Sequence, residues 1–270
     1  MRICTLGDLL LDVIVRLERP LVGGDDVVAV TRTGPGGQAA NVAAWASALG
    51  ADAAFLGRRG DDDAGQVVTA ALERYGVSVL GPAKGRNGVV VSFVEPDGTR
   101  SMASDRGVAP DLDPDDVEPG WLEDCDVLHV AGYSLLRSPI AEASVAAIDH
   151  ARSAGARISV DLSTSTAIED YGSERFAALL RQIAPDVVFG TAAELEAVGR
   201  FPSREWVLKR GAAGITVGVD GDSRDLPAPT VSVVDSTGAG DALAAGFLVG
   251  GVDAGLAAAA RCVSTLGAMP

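Results

Sequence analysis

The sequence predicts an α/β fold built on a mostly parallel central sheet, and two observations carry that prediction. Short apolar runs alternate with stretches of helical period along most of the chain. Glycines stand where those helical stretches would stop, at Gly50, Gly76 and Gly155. Such alternation buries a parallel sheet between helical layers, because each crossover lays a helix on one face.

The runs 2–7, 53–57, 126–132, 156–162, 186–190, 205–209 and 215–219 read as buried strands. Residues 38–50, QAANVAAWASALG, place Val42, Trp45, Ala46 and Leu49 on one helical face. Residues 64–76 repeat the design with Val68, Leu72 and Tyr75. Residues 139–155 open with Pro139 in the first helical turn, where its missing N–H costs no bond. Two segments break the rhythm. Residues 13–33 have strand chemistry and a Gly-Gly turn, and residues 88–104 read as a hairpin around Pro96-Asp97-Gly98. They supply either a small antiparallel sheet or edge strands of the main one.

A chain of 270 residues with 47% apolar and 22% charged content suits a single domain, 1–270, able to bury a full core. Three cysteines without a C-x-x-C pair argue against a disulfide framework or zinc site and for a reducing, cytoplasmic setting. No secretory pattern and no run of 18 apolar residues is found, so no membrane partner is expected. A net charge of −15 excludes nucleic acid as the main partner but permits a small anion at a local positive site. His129 and His150 read as structural, which removes histidine triads and three-histidine metal centres.

Two glycine clusters carry the chemistry. In DSTGAGD, 235–241, no lysine follows the glycines, so the loop is no Walker A site. Gly238, Ala239 and Gly240 lead into an apolar helix, where consecutive amides and the helix dipole can hold an oxyanion. The alternative is that Asp241 merely caps the helix. In GPGGQAANVA, 34–43, Gly36 and Gly37 turn a strand into a helix that carries Asn41 in its first turn. Asparagine is a poor helix former, so it needs a reason there: ligand hydroxyls, or a neighbouring loop. Gly34, Gly36 and Ala39 also fit the relaxed dinucleotide fingerprint, which leaves a nicotinamide-dependent (NAD) oxidoreductase as a competing reading.

GGQAANVA and DSTGAGDALAAGFL resemble the two signature regions of the PfkB/ribokinase family of carbohydrate kinases, and Gly7-Asp8-x-x-x-Asp12 resembles its early motif. The resemblance runs from Met1 to about Pro270. It implies a ribokinase-like three-layer sandwich with a small antiparallel β lid formed by 13–35 and 86–105. It implies an ATP-dependent kinase acting on a primary hydroxyl of a small sugar, sugar acid or nucleoside. Asp241 would be the general base, and the amides of Gly238, Ala239 and Gly240 the anion hole. Asp12, Gly36, Gly37 and Asn41 would hold the acceptor, while Arg106 either favours an acidic one or is a surface arginine. Lys209, Gly211, Gly214 and Thr237 would border the nucleotide. Glu194 and Asp161 would serve Mg2+ through water, with Thr191 in place of the family's asparagine. Backbone groups near Asp235, Thr237 and Gly267 would hold K+, at a chain end shorter than in many relatives. Family lids often pair, so a monomer and a lid-mediated homodimer are both open. So is a catalytically weak sugar- or nucleotide-binding homologue.

Overall fold

The computed structural model describes residues 1–97, 99–199 and 203–270; Gly98, at the tip of the expected hairpin, lies outside them. The chain opens with β1 (Arg2–Leu6), then β2 (Leu10–Leu17) and β3 (Ala29–Gly36) without a helix between them. α1 (Gln38–Ala48), β4 (Asp52–Leu56), α2 (Asp63–Arg74) and β5 (Val77–Leu80) follow, then the hairpin of β6 (Asn87–Val94) and β7 (Arg100–Gly107). Next come β8 (Val127–Ala131), α3 (Ile140–Ser153), β9 (Arg157–Asp161), α4 (Ser165–Tyr171) and α5 (Ser173–Ile183). β10 (Val187–Thr191), α6 (Ala192–Val198), β11 (Glu205–Lys209), β12 (Ile215–Val219), β13 (Asp222–Leu226) and α7 (Ala239–Val263) complete it.

Nine strands form the main sheet in the order β13-β12-β11-β10-β9-β8-β1-β4-β5. Pairing is parallel from β11 through β5, and antiparallel where β12 and β13 join. Alternate residues of each strand feed opposite faces. Ile3, Phe55 and Phe189 join Trp45 and Phe247 in one core, and Cys4, Leu128 and Val188 join Ile148 and Phe176 in the other. All three cysteines are free and buried.

The two irregular segments form a separate sheet, β3-β2-β6-β7, and not edge strands of the main one. Its two hairpins are antiparallel and are joined through a parallel pairing of β2 with β6. Gly34 and Gly36 therefore belong to an antiparallel edge strand, whereas a dinucleotide fingerprint must follow a strand of the parallel sheet. The oxidoreductase reading loses its structural context here.

Other differences are local. Gly50, Gly76 and Gly155 do end helices, with φ of 93°, 80° and 91°, but Pro139 is the N-cap of α3 and not a first-turn residue. β13 was invisible because its residues, DSRDL, are polar and mostly exposed at the sheet edge. α7 is apolar and long enough to cross a membrane, yet it breaks at Gly250 and Gly251. Past the break it folds back so closely that a Cβ on Gly246 would stand 2.5 Å from the Ala254 carbonyl oxygen. It is a core helix.

Asn87 ties the small sheet to the main body. Its side chain accepts from the Gly60 amide at 3.0 Å and donates to the Leu9 carbonyl at 3.4 Å, and its own amide donates to Asp62 at 3.0 Å. The residue is buried, so losing its amide strands partners that water cannot reach. Asn87→Ala is expected to cost roughly 1–3 kcal/mol, read as a Tm several degrees below the parent's in a thermal melt.

Candidate active site

Parallel strands deliver their C-terminal ends to one edge, where ligands of open α/β sheets bind. Asp8 follows β1, Asp161 ends β9, Thr191 ends β10 and Lys209 ends β11. The N-termini of α1 and α7 face the same edge.

α7 begins with Gly238 in the left-handed region, at φ 74°, which glycine adopts without strain. A Cβ there would also stand 2.5 Å from that of Ala268, so the C-terminal segment backs the loop directly. The Ala239 amide reaches Ser236 at 3.4 Å, a long contact. Among the described residues, the amides of Gly238, Gly240 and Asp241 donate to no protein acceptor. No side chain caps the helix. The capping role considered for Asp241 is thus corrected: its carboxylate accepts the Asn41 amide at 2.7 Å. This contact is also the reason for an asparagine in the first turn of α1.

Burial pushes the Asp241 carboxyl up to about 7; Asp161 and Asp12 reinforce the shift, while Asn41 and Lys209 oppose it. Burial likewise raises Asp12 to about 6. Asp12 lies against Gly36, where any Cβ would overlap its carboxylate, and a Cβ on Gly37 would overlap the Asp8 carbonyl. Both glycines are required by close approach.

Lys209 donates to both Asp161 oxygens, at 2.9 and 2.8 Å. A methyl on Gly240 would stand 3.6 Å from its Nζ, so tertiary structure brings the glycine loop the cation its sequence lacks. Burial alone would discharge this amine, but Asp161, Glu194 and Asp241 hold its pKa above the ordinary value. Gly211 and Gly214 shape the turn after β11, with φ of 56° and 91°. Thr237 spends its amide and hydroxyl on Asp235, at 2.9 and 2.6 Å, so these donors face the loop's own aspartate and not a nucleotide.

Thr191 replaces asparagine without disorder. Its hydroxyl accepts the Glu194 amide at 3.4 Å and its amide donates to the Glu194 carboxylate at 2.8 Å, a reciprocal cap on α6. Among the described residues no cluster of three metal-ligating side chains exists. Instead, Asp161 pairs with the Lys209 ammonium, and Glu194 and Asp241 stand near enough for their charges to act on it. That donor set fits a hydrated Mg2+ carried in on phosphates, the usual mode for this ion.

For the K+ expectation, the carbonyls of Asp235 and Gly267 accept no hydrogen bond among the described residues, while the groups around them are engaged. The Asp235 carboxylate is taken by Arg100, by Thr237 and by the Gly267 amide at 2.9 Å. The Thr237 carbonyl accepts the Cys262 thiol at 3.3 Å, that of Leu266 accepts Arg32 at 2.7 Å, and that of Ala268 accepts Trp45 at 2.8 Å. Arg100 thus pairs with the Asp235 carboxylate and not with the backbone oxygens expected to hold K+. Arg106 is not a free surface arginine: Asp8 takes its Nε at 2.6 Å and Nη2 at 2.8 Å. Asp8, Arg32 and Arg100 are the residues missed. Asp8 was visible in GDLLLD without a role, whereas nothing local marks the two arginines.

A cavity of about 1030 Å³ lies at the opposite end of the sheet, beside Arg157, Asp186 and Arg204. Its arginines are already paired, with Glu205 and Asp220, and none of the residues above reaches it.

The family described as pfkB family carbohydrate kinase matches residues 1–269. The chain belongs to that family. The ATP-dependent ribose-1-phosphate kinase of Halopiger xanaduensis is 31% identical over 92% of this chain and 83% of its own. A Klebsiella pneumoniae fructokinase is 30% identical over 80% and 76%. The crystal structure of adenosine kinase from Sinorhizobium meliloti superposes with a TM-score of 0.87 at 25% identity, covering 99% of this chain and 95% of that one. Membership makes the chain an ATP-dependent carbohydrate kinase and leaves its acceptor open.

Two expectations follow. Asp12 and Asp241 rise from 3.8 to about 6 and about 7, so between those values the folded chain binds more protons than the unfolded one. Their contribution to stability is therefore lost as pH rises through that window. Melting curves from pH 5 to 8 should decline less steeply in an Asp12→Asn, Asp241→Asn double variant. Secondly, turnover compared in K+ and tetramethylammonium buffers tests the cation site: stimulation by K+ would assign the open Asp235 and Gly267 carbonyls to a cation, and equal turnover would show that none is needed.

Proposed function

We propose that this kinase transfers the γ-phosphoryl group of ATP to a primary hydroxyl of a small sugar, sugar acid or nucleoside. The carrying observation is a carboxylate of pKa about 7 placed beside unpaired amides at a helix N-terminus. Phosphoryl transfer needs alignment and charge stabilisation more than covalent help. In this reading Asp12 and the Asn41 region orient the acceptor, and Asp241 accepts the proton of the attacking hydroxyl. The amides of Gly238 to Gly240 and the Lys209 ammonium hold the equatorial oxygens as charge shifts in the transition state. Asp161 keeps Lys209 in place and charged. Gly211 and Gly214 border the adenosine. Mg2+, when bound, would neutralise phosphate charge, with Glu194 and Asp161 holding its waters. The small sheet serves as the lid that excludes water from the reacting centre. Use of ATP makes the cytoplasm its place of work.

The acceptors for which the relatives are named span a neutral ketose, a sugar phosphate and a nucleoside, so kinship does not select among them. A binding homologue without turnover is the alternative, and Asp241 decides between them.

Asp241→Asn keeps an acceptor for the Asn41 amide but cannot take a proton. Its kcat should fall by roughly 10²–10⁴-fold, with ATP affinity retained and Tm at pH 8 no lower than the parent's. In the parent, kcat/KM should fall as pH drops through about 7, because the base must be ionised. A variant turnover close to the parent's, or a flat profile across that region, would refute the assignment.

A further inference from the structure

The acid-rich chain collects arginines in one place. It has 37 acidic and 22 basic residues, yet a cavity of about 420 Å³ is lined by Arg106, Arg137 and Arg175 against one carboxylate, Asp170. We propose that this cavity binds an anionic group carried by the acceptor, a phosphate monoester or a carboxylate, at the end remote from the hydroxyl that is phosphorylated. The inference rests on the kinase reading above and names the acceptor class for it.

Position supports it first. Register pairs Asp12 with Val90 and Val90 with Ser104, and Arg106 is two residues beyond Ser104. Paired and alternate residues share a face, so Arg106 and Asp12 lie on the same face of the small sheet. Two strand spacings and two residues separate them, about 12 Å between Cα atoms, which suits a sugar with an anionic group at its far end. Arg137 follows β8 and Arg175 follows β9, whereas Lys209, Gly211 and Gly214 belong to the β11–β12 side. The cavity is therefore an extension of the acceptor side and not of the nucleotide side.

The state of the guanidinium groups supports it second. Arg106 is committed to Asp8, whose buried carboxylate balances its charge and fixes it as one wall. Among the described residues, Arg137 and Arg175 have no ion-pair or side-chain hydrogen-bond partner. Arg175 stacks on Tyr171 at 4.2 Å, and Tyr171 is itself set edge-on to the buried Phe176. Stacking fixes the plane of the guanidinium while leaving its N–H edge free, the arrangement that suits forked donation to a phosphate or carboxylate. With Asp8 balancing Arg106, Arg137 and Arg175 against Asp170 leave one positive charge net, which favours an anion there.

The test compares acceptors in an ADP-release assay on the full chain: ribose and fructose, their 1-phosphates, and ketodeoxygluconate as the sugar acid. The parent should prefer an anionic acceptor, and whichever of phosphate or acid gives the higher kcat/KM names the source of the charge. Arg137→Gln and Arg175→Gln should each lower the anionic-to-neutral ratio of kcat/KM by roughly 10–100-fold, chiefly through KM for the acceptor. Arg181→Gln, an exposed charge on α5 away from the cavity, should leave the ratio at the parent's value. Preference for neutral acceptors, or an unchanged ratio in the double variant, overturns the proposal. If no acceptor is phosphorylated, calorimetric titration with ribose 1-phosphate and ketodeoxygluconate decides. Binding that disappears in the arginine double variant supports the anion site while the kinase reading falls; equal binding by parent and variant, or none, overturns the anion site as well.

Discussion

The hydrogen bond from Asn41 to Asp241 is the contact on which the site depends. It joins residues 200 positions apart, at the first turns of α1 and α7, and fixes where the two helix N-termini stand relative to one another. Trp45, one helical turn further along the same face of α1, donates to the Ala268 carbonyl. Ala268 in turn packs on Gly238, and Arg261 of α7 lies over the Trp45 ring at 5.2 Å. One face of a single helix thus positions the proposed base, the glycine loop and the segment behind it. The last residues of the chain act as the wall against which the loop is built.

Charge is the second constraint. The site brings Asp12, Asp161, Glu194 and Asp241 towards one edge of the sheet around a single buried ammonium, that of Lys209. Burial raises two of them, Asp12 and Asp241, and at Asp241 the charges of Asp161 and Asp12 add to it. Both oxygens of Asp161 accept from Lys209. The same gathering of carboxylates, which adds to burial in raising Asp241, makes the edge a suitable place for a hydrated divalent cation.

The small sheet supplies the opposite sign. Arg32, Arg100 and Arg106 come from its two edge strands and share the face that carries Asp12. Arg32 and Arg100 reach across to the C-terminal segment and to Asp235, and Arg106 reaches Asp8. Electrostatic contacts therefore connect the sheet to the body at three points around the glycine loops, in addition to the Asn87 junction at its base. Two of these contacts, Arg100 with Asp235 and Arg106 with Asp8, are largely buried ion pairs, so removing one partner would leave the other charge uncompensated.

The sequence by itself determined the elements and the two loops. Periodicity marks buried strands and helices, and glycine is demanded wherever backbone meets a side chain or carbonyl, as at Gly36, Gly37 and Gly238. These requirements are local, so they are written in local residue patterns. The polar edge strand β13 escaped because a strand of exposed polar residues has no apolar signature. Tertiary structure alone decided which charges meet. It placed Lys209 beside Gly240, took Asp241 from helix capping to Asn41, and put Arg100 on the Asp235 carboxylate. Long side chains converge from strands and helices far apart in the chain, and no local pattern records the partner that each will find.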